Sequence, residues 1–436
     1  MRGRFEEIQR RNEKLIDQVR SLTRQTDPLQ MALGPAIRGR DAVVAHIEIN
    51  DYHGVGVLLQ RLFGKSPNVL SIRSRNFYGG RQEFGKRHFC ISHKGASRAQ
   101  VTWNVLEVLE GVKVRRVLAV PYFEDDALTA IALKECFGVP LCTFLMDDQN
   151  VCADGISDAV MKELLYKSSL RLAISPEMCA VYEAKYGYKV WFMPPVAPAD
   201  LIPTGLNAVS EAVLRGGEPI VLGNIWSNRW LELLRTTVRG TGIRLRWHNN
   251  GKFPGLLCSR DDLASDGIEL QEGLPEPDHR LVEILRQTPF VVLPSGTLTE
   301  DDDRRFIALL SFPSRIPYIL ATSHTPILVL GSADTAAARI VTRLGVGAVA
   351  PYGAQEFRAT AKRLTRPDVN LAMRSAAFHL SERFTDAGAL GWIWQSLERG
   401  AAVDSRYEDL ISDSRMELPA TTFDLQTASS SLPSYH

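Results

Sequence analysis

The run with the clearest chemical potential is Ser311-Phe312-Pro313-Ser314-Arg315. Pro313 and Pro317 leave the N–H groups of a new helix start without internal partners, and such a start binds phosphate through its amides and its dipole. A guanidinium beside it, that of Arg315, adds a charged and potentially bidentate clamp, and Ser311 and Ser314 bring hydroxyls to the same run. The same residues would serve as a helix cap with a solvated arginine, and the local pattern leaves both readings open. Upstream, the apolar stretch 290–293 stops at Pro294-Ser295-Gly296, a turn whose N–H groups, Ser295 included, are expected to face a ligand. A helix is expected over 301–310, opened by aspartates that suit its dipole, and a second buried strand over 326–330. Strand, loop, helix, anion-friendly helix start and strand is the order by which doubly wound α/β domains hold ligands at the carboxyl ends of their strands.

A chain of 436 residues is too long for one ordinary core, so two domains with appendages are expected. Its 45% apolar and 23% charged residues make a globular balance. A net charge of +1 gives no reason to expect a nucleic-acid partner. The six cysteines (90, 136, 142, 152, 179, 258) have no CxxC spacing and no histidines at ligand distances. They read as reduced thiols, and no metal or other cofactor is expected. With no apolar run of about 20 residues and no apolar core in the leading segment, the protein is expected to be soluble and cytoplasmic.

Residues 1–26 place Phe5, Ile8, Asn12, Leu15, Val19 and Leu22 at alternating steps of three and four, with Asn12 at a core position. A short coiled coil that forms a homodimer is one reading, since a core Asn fixes register. Seven basic against four acidic residues there (7 − 4 = +3) also permit peripheral contact with the inner face of an anionic membrane. Packing against its own domain is a third. From residue 41 the pattern becomes α/β. A strand over 43–49 leads through His53, Gly54 and Gly56 into a helix over 57–63, and the glycine pair lets a ligand approach that helix start. Another strand spans 69–74, and 75–100 read as a long polar loop. Strands over 114–120, 140–146 and 170–174 alternate with helices over 124–137 and 154–168, the latter with Asp154 as N-cap, and Ser175-Pro176-Glu177 opens another helix. The organisation expected is an N-terminal helix (1–30), a first Rossmann-like domain (41–197), a Pro/Gly-rich hinge (198–217), a second such domain (218–370), crossing helices (371–400) and a flexible tail (401–436).

Three passages give this arrangement a likeness: LRLAISPEMCAVYEAKYGYKVWFMPPV (170–196), PIVLGNIW (219–226) and SFPSRIPYILA…TPILVLG (311–331). In this order and spacing they resemble the GT-B glycosyltransferases, specifically their large retaining class that uses nucleotide-sugars. The resemblance covers roughly residues 41–399. It implies two doubly wound domains facing across a cleft, C-terminal helices that cross back, and transfer of a sugar without a metal. The second domain would hold the nucleotide-sugar donor, and the first a glycan, lipid-linked or small hydroxylated acceptor. Gly223 and Asn224 match the family's loop over the diphosphate, and Arg229 and Arg315 fall near its basic positions. Asp147, ending a central strand, and His53 would face the acceptor or sugar. The class usually carries a Glu-x7-Glu pair; here the two positions are Leu310 and Tyr318, so Tyr318 would have to hydrogen-bond the ribose without a charge. That departure admits a non-catalytic partner subunit as an alternative, and a nucleotide-sugar epimerase is a further one.

Overall fold

Unbroken apolar strands must be covered on both faces, which parallel sheets flanked by helices achieve. The computed structural model describes residues 39–45, 54–64, 66, 68–74, 84–249, 258–271 and 273–412. Strands β1 (Arg40–Ala45), β2 (Val69–Arg73), β3 (Arg87–Cys90), β4 (Val114–Val120), β5 (Leu141–Leu145), β6 (Leu170–Ala173) and β7 (Trp191–Phe192) form one sheet in the order β3-β2-β1-β4-β5-β6-β7. Strands β8 (Ile220–Leu222), β9 (Leu245–His248), β10 (Ile268–Gln271), β11 (Val291–Pro294), β12 (Ile327–Leu330) and β13 (Gly347–Ala350) form the other, ordered β10-β9-β8-β11-β12-β13. Neighbouring strands pair in parallel throughout. The order reverses beside β1/β4 and β8/β11, and those switch points are where open α/β sheets leave a crevice for a ligand.

Local chemistry sets the helix ends. Asp126 accepts from the N–H groups of Tyr122 and Phe123 (2.9 Å each) at the start of helix Glu124–Phe137, and Gly138 ends that helix with φ 63. Ser175 caps helix Pro176–Tyr186, Pro176 sits at its first position, and Gly187 closes it with φ 73. Arg374, fully buried, bonds Asn370 Oδ1 (2.8 Å) and the Thr288 carbonyl (2.6 Å), fixing helix Pro367–Leu380 to the second domain. The chain then returns. Ala197 and Thr385 form a parallel bridge where the two crossings run side by side. Helix Ala389–Arg399 reaches the first domain, with Trp394 against Phe63 (centroids 5.7 Å) and under Arg116 (4.1 Å).

Several expectations shift. The polar stretch 75–100 contains β3, an exposed edge strand, and helix Arg98–Val108 follows, opened by a Ser97/Gln100 capping box. The helix expected from Asp154 starts at Asp158 after Ser157. The one expected over 301–310 is only Arg305–Leu310, because Asp302 folds 298–304 into a turn, accepting from Leu298 N (3.1 Å), Arg304 N (3.1 Å) and Trp230 Nε1 (2.8 Å). The hinge carries helix Glu211–Gly216. Residues 401–412, read as tail, pack onto the first domain: Tyr407 stacks edge-on with Trp392 (4.8 Å), and Glu408 accepts from Phe192 N (2.9 Å). The expected N-terminal helix and the rest of the tail, 413–436, lie outside the described residues.

Candidate functional site

The domains meet through residues 310–316. Phe312 lies against Phe192 (centroids 6.5 Å), and Leu310, Phe312 and Ile316 belong to an apolar cluster that runs from the first domain into the second. The Ser175 hydroxyl donates to the Leu310 carbonyl. Ser311 Oγ donates to Asp147 Oδ1 at 3.1 Å, and Tyr122 donates its hydroxyl to Asp147 Oδ2. Burial pushes the Asp147 pKa up while these two donors pull it back. Its neighbour Asp148 does different work, accepting from the N–H groups of Asn150 (3.1 Å), Val151 (2.8 Å) and Cys152 (2.7 Å) and from Tyr182 (2.9 Å). So Asp148 is the loop cap, and Asp147 is the carboxylate turned across the domain boundary.

Arg315 takes the first position of helix Arg315–Ser323, after Ser314. Its Nη1 donates to the Leu222 carbonyl, and its guanidinium lies on Gly223, where an added Cβ would stand 3.4 Å from Nη1. Gly223 has φ 77, a left-handed conformation that glycine adopts without strain. Burial pushes the Arg315 pKa down to about 10, so it stays a cation at neutral pH. Among the described residues no carboxylate pairs with it; its one hydrogen bond is to a carbonyl. A cation taken out of water without a counter-charge is costly unless something anionic completes it. Ser314 faces Gly54, the first residue of helix Gly54–Phe63, with 3.7 Å between Ser314 Oγ and a Cβ placed on Gly54. Two helix starts, each the positive end of its dipole, therefore converge beside Arg315. Gly56 is buried in the first turn of its helix.

The remaining expected residues divide. Arg229 is held by Asp301 in a partly exposed ion pair, and its Nε is buried without a partner. Asn224 Oδ1 is likewise buried and unpartnered. Ser295 corrects an expectation: its N–H donates to the Leu330 carbonyl (2.8 Å) because β11–β12 pairing runs one residue further, and its carbonyl takes the Tyr352 hydroxyl (2.8 Å). Its backbone groups belong to the scaffold. Tyr318 also differs. Its ring lies under the Arg61 guanidinium (5.3 Å) and its hydroxyl is enclosed without a partner. Burial and the charge of Asp278 push its pKa up, with Arg61 opposing. Leu310, the other position of the absent acidic pair, is fully buried at the domain contact. His53 lies outside the described residues.

Residues not anticipated from sequence complete the site. Tyr122 follows β4 and positions Asp147. His248 ends β9, its carbonyl accepting from Gly223 N at 2.7 Å, and both its ring nitrogens are buried without partners. A cavity of about 1050 Å³ opens at the carboxyl ends of β4 and β5, lined by Glu124, Asp125, Asp154, Asp158 and Lys185 among others. Among the described residues no His, Cys, Asp or Glu cluster could hold a metal, and no helix is long and apolar enough to cross a membrane.

No protein-family model matches the chain, and no curated protein matches it in sequence. Solved structures do match in shape. HepE from Anabaena, in complex with UDP, superposes with a TM-score of 0.58 at 12% identity, covering 83% of this chain and 100% of its own. Sucrose-phosphate synthase from Thermosynechococcus elongatus gives 0.56 at 12% identity, covering 83% and 98%. A UDP-N-acetylglucosamine 2-epimerase gives 0.51 at 15% identity, covering 83% and 95%. The chain thus has the GT-B fold: two parallel-sheet, Rossmann-like domains joined by returning C-terminal helices.

Proposed function

We propose that the protein is a glycosyltransferase that moves a sugar from a nucleotide-sugar to a glycan, lipid-linked or small hydroxylated acceptor. The observation that carries this is Arg315, a desolvated cation that no carboxylate among the described residues pairs with, at a helix start facing a second helix start. Loss of a nucleoside diphosphate from a sugar builds negative charge on the leaving oxygens. Fixed cations and helix N-termini aimed at that charge stabilise it without reorganisation. The resident field of Arg315 supports a reaction that proceeds without a metal, and persistence of turnover in EDTA would test that. Asp147, already bonded by two hydroxyls, is suited to hold a hydroxyl of acceptor or sugar at the boundary. The cavity beside β4 and β5 is the natural acceptor side. Retention of anomeric configuration is part of the proposal and rests on the resemblance.

A second reading, a non-catalytic GT-B partner subunit, is favoured by one observation: the position expected to bind ribose, Tyr318, is packed against Arg61. Thermal shift against UDP-, GDP-, ADP- and dTDP-glucose separates the two. Stabilisation by one of them, lost in Arg315→Ala, supports transfer; silence to all of them supports the partner subunit.

A further inference from the structure

Tyr318 carries no charge and its ring is packed under Arg61, so the ribose of a bound nucleotide calls for a further partner. The geometry points to His248 and Asn224: we propose that these two side chains together hold the ribose diol of the donor nucleotide. The proposal rests on nucleotide binding at the Gly223 loop.

In a sheet of order 3-2-1-4-5-6, the glycine loop after the first strand takes the pyrophosphate, and the residue ending the second strand meets the ribose. The second domain has that order, with β8 first and β9 second. Its glycine loop begins at Gly223, and the residue ending β9 is His248. The two are joined directly, by Gly223 N to the His248 carbonyl (2.7 Å) and Trp247 Nε1 to the Gly223 carbonyl (2.8 Å). His248 is 6% exposed, and among the described residues neither ring nitrogen has a hydrogen-bond partner; nor does Asn224 Oδ1. Buried polar atoms are normally hydrogen-bonded, and here such atoms belong to the residue that ends β9 and to the residue after the glycine bonded to it, which suits a ligand between them. Burial, and then the charge of Arg246, lower the His248 pKa, so the ring is neutral at pH 7. A neutral imidazole offers one donor and one acceptor, and the Asn224 carbonyl a second acceptor. Two adjacent hydroxyls, each both donor and acceptor, satisfy all three atoms. A carboxylate or phosphate, with acceptors only, does not.

The test measures affinity for UDP, ADP and GDP, each beside its 2′-deoxy counterpart, by calorimetry. The wild type is expected to bind the best ribonucleotide about tenfold or more tightly than its deoxy form, the usual effect of a lost buried hydrogen bond. In His248→Ala that ratio should collapse towards one, while His248→Gln keeps part of it. Asn224→Ala provides the same readout should His248→Ala fail to fold. Arg315→Ala should weaken ribo and deoxy forms alike, leaving the ratio intact. A wild type that binds a nucleotide without distinguishing the deoxy form overturns the inference. So does a ratio that survives in both alanine variants, as it would if trapped water were the partner of these atoms. Absence of any nucleotide binding overturns the functional reading itself, and with it this site.

Discussion

The hydroxyl of Ser311 donates to the carboxylate of Asp147 at 3.1 Å, tying the segment before Arg315 to the strand end of the opposite domain. A chain reading could see two polar residues far apart. The fold makes them one contact, four residues from the buried cation.

Breaking that tie has a defined signature. Ser311→Ala leaves Asp147 with one donor fewer and is expected to destabilise the protein by about 1.5–3 kcal/mol, the range for a bond to a charged group. Asp147→Asn can still accept from Tyr122 and bond Ser311, so urea midpoints should move little. Its turnover should nonetheless fall on the order of 100-fold if the carboxylate handles a reacting hydroxyl. Urea melts beside turnover on the donor found by thermal shift make the comparison.

Gly223→Ala meets two obstacles, a left-handed backbone and the Arg315 guanidinium 3.4 Å from the new methyl. The backbone alone costs about 1 kcal/mol, and displacement of Arg315 should weaken nucleotide binding further. Calorimetry with UDP or the preferred nucleotide should show at least a tenfold loss, whereas Gly205→Ala, at a position with open space and no positive φ, should show none.

Asp126 supplies a pH test. Burial raises its pKa to about 6, with the helix-start N–H groups partly opposing. A carboxylate whose folded pKa lies above its unfolded value near 3.8 binds its proton more tightly in the folded state. Its contribution is therefore favourable below about pH 4, is lost as pH rises through about 6, and is flat beyond. Asp126→Asn lacks this titration. Denaturant unfolding from pH 4 to 7 should show wild-type stability falling relative to Asp126→Asn across that window; parallel curves would contradict the assignment.

Removal of residues 1–26 should change the oligomeric state or recovery with anionic vesicles, and leave nucleotide affinity unaltered. Size exclusion and vesicle flotation check the first, calorimetry the second.

Much of the fold was legible because its cues are local. Helix Glu124–Phe137 carries acids in its first turn and Gly138 after its last, and Ser175-Pro176 marks a helix start unambiguously. Strand β3 was not, because RHFC is a largely exposed edge with no apolar alternation to report it. The helix after β5 opens at Asp158 behind the cap Ser157, and not behind the expected Asp154, three residues before that cap. At the site, Arg315 stood out from residue type and spacing and Gly223 from the resemblance, and the fold puts the two in contact. The fate of Ser295 was not, since its N–H is claimed by a strand neighbour distant in sequence. Nor was that of Tyr318, whose orientation depends on Arg61 from the other domain. Asp147 and Asp148 are equivalent on paper; only the turn that Asp148 caps distinguishes them. His248 carries no motif, and its interest arises from what fails to touch it.

The most direct measurement is nucleoside diphosphate affinity in the wild type, Arg315→Ala and Arg315→Met, alongside unfolding free energies without ligand. Weakening by about 1.5–3 kcal/mol in both variants is expected, the range for a charged hydrogen bond. Arg315→Met should be as stable as the wild type or more so, because a desolvated cation has been replaced by an apolar chain. Unchanged affinity together with a large loss of stability would make Arg315 a structural residue and contradict the account.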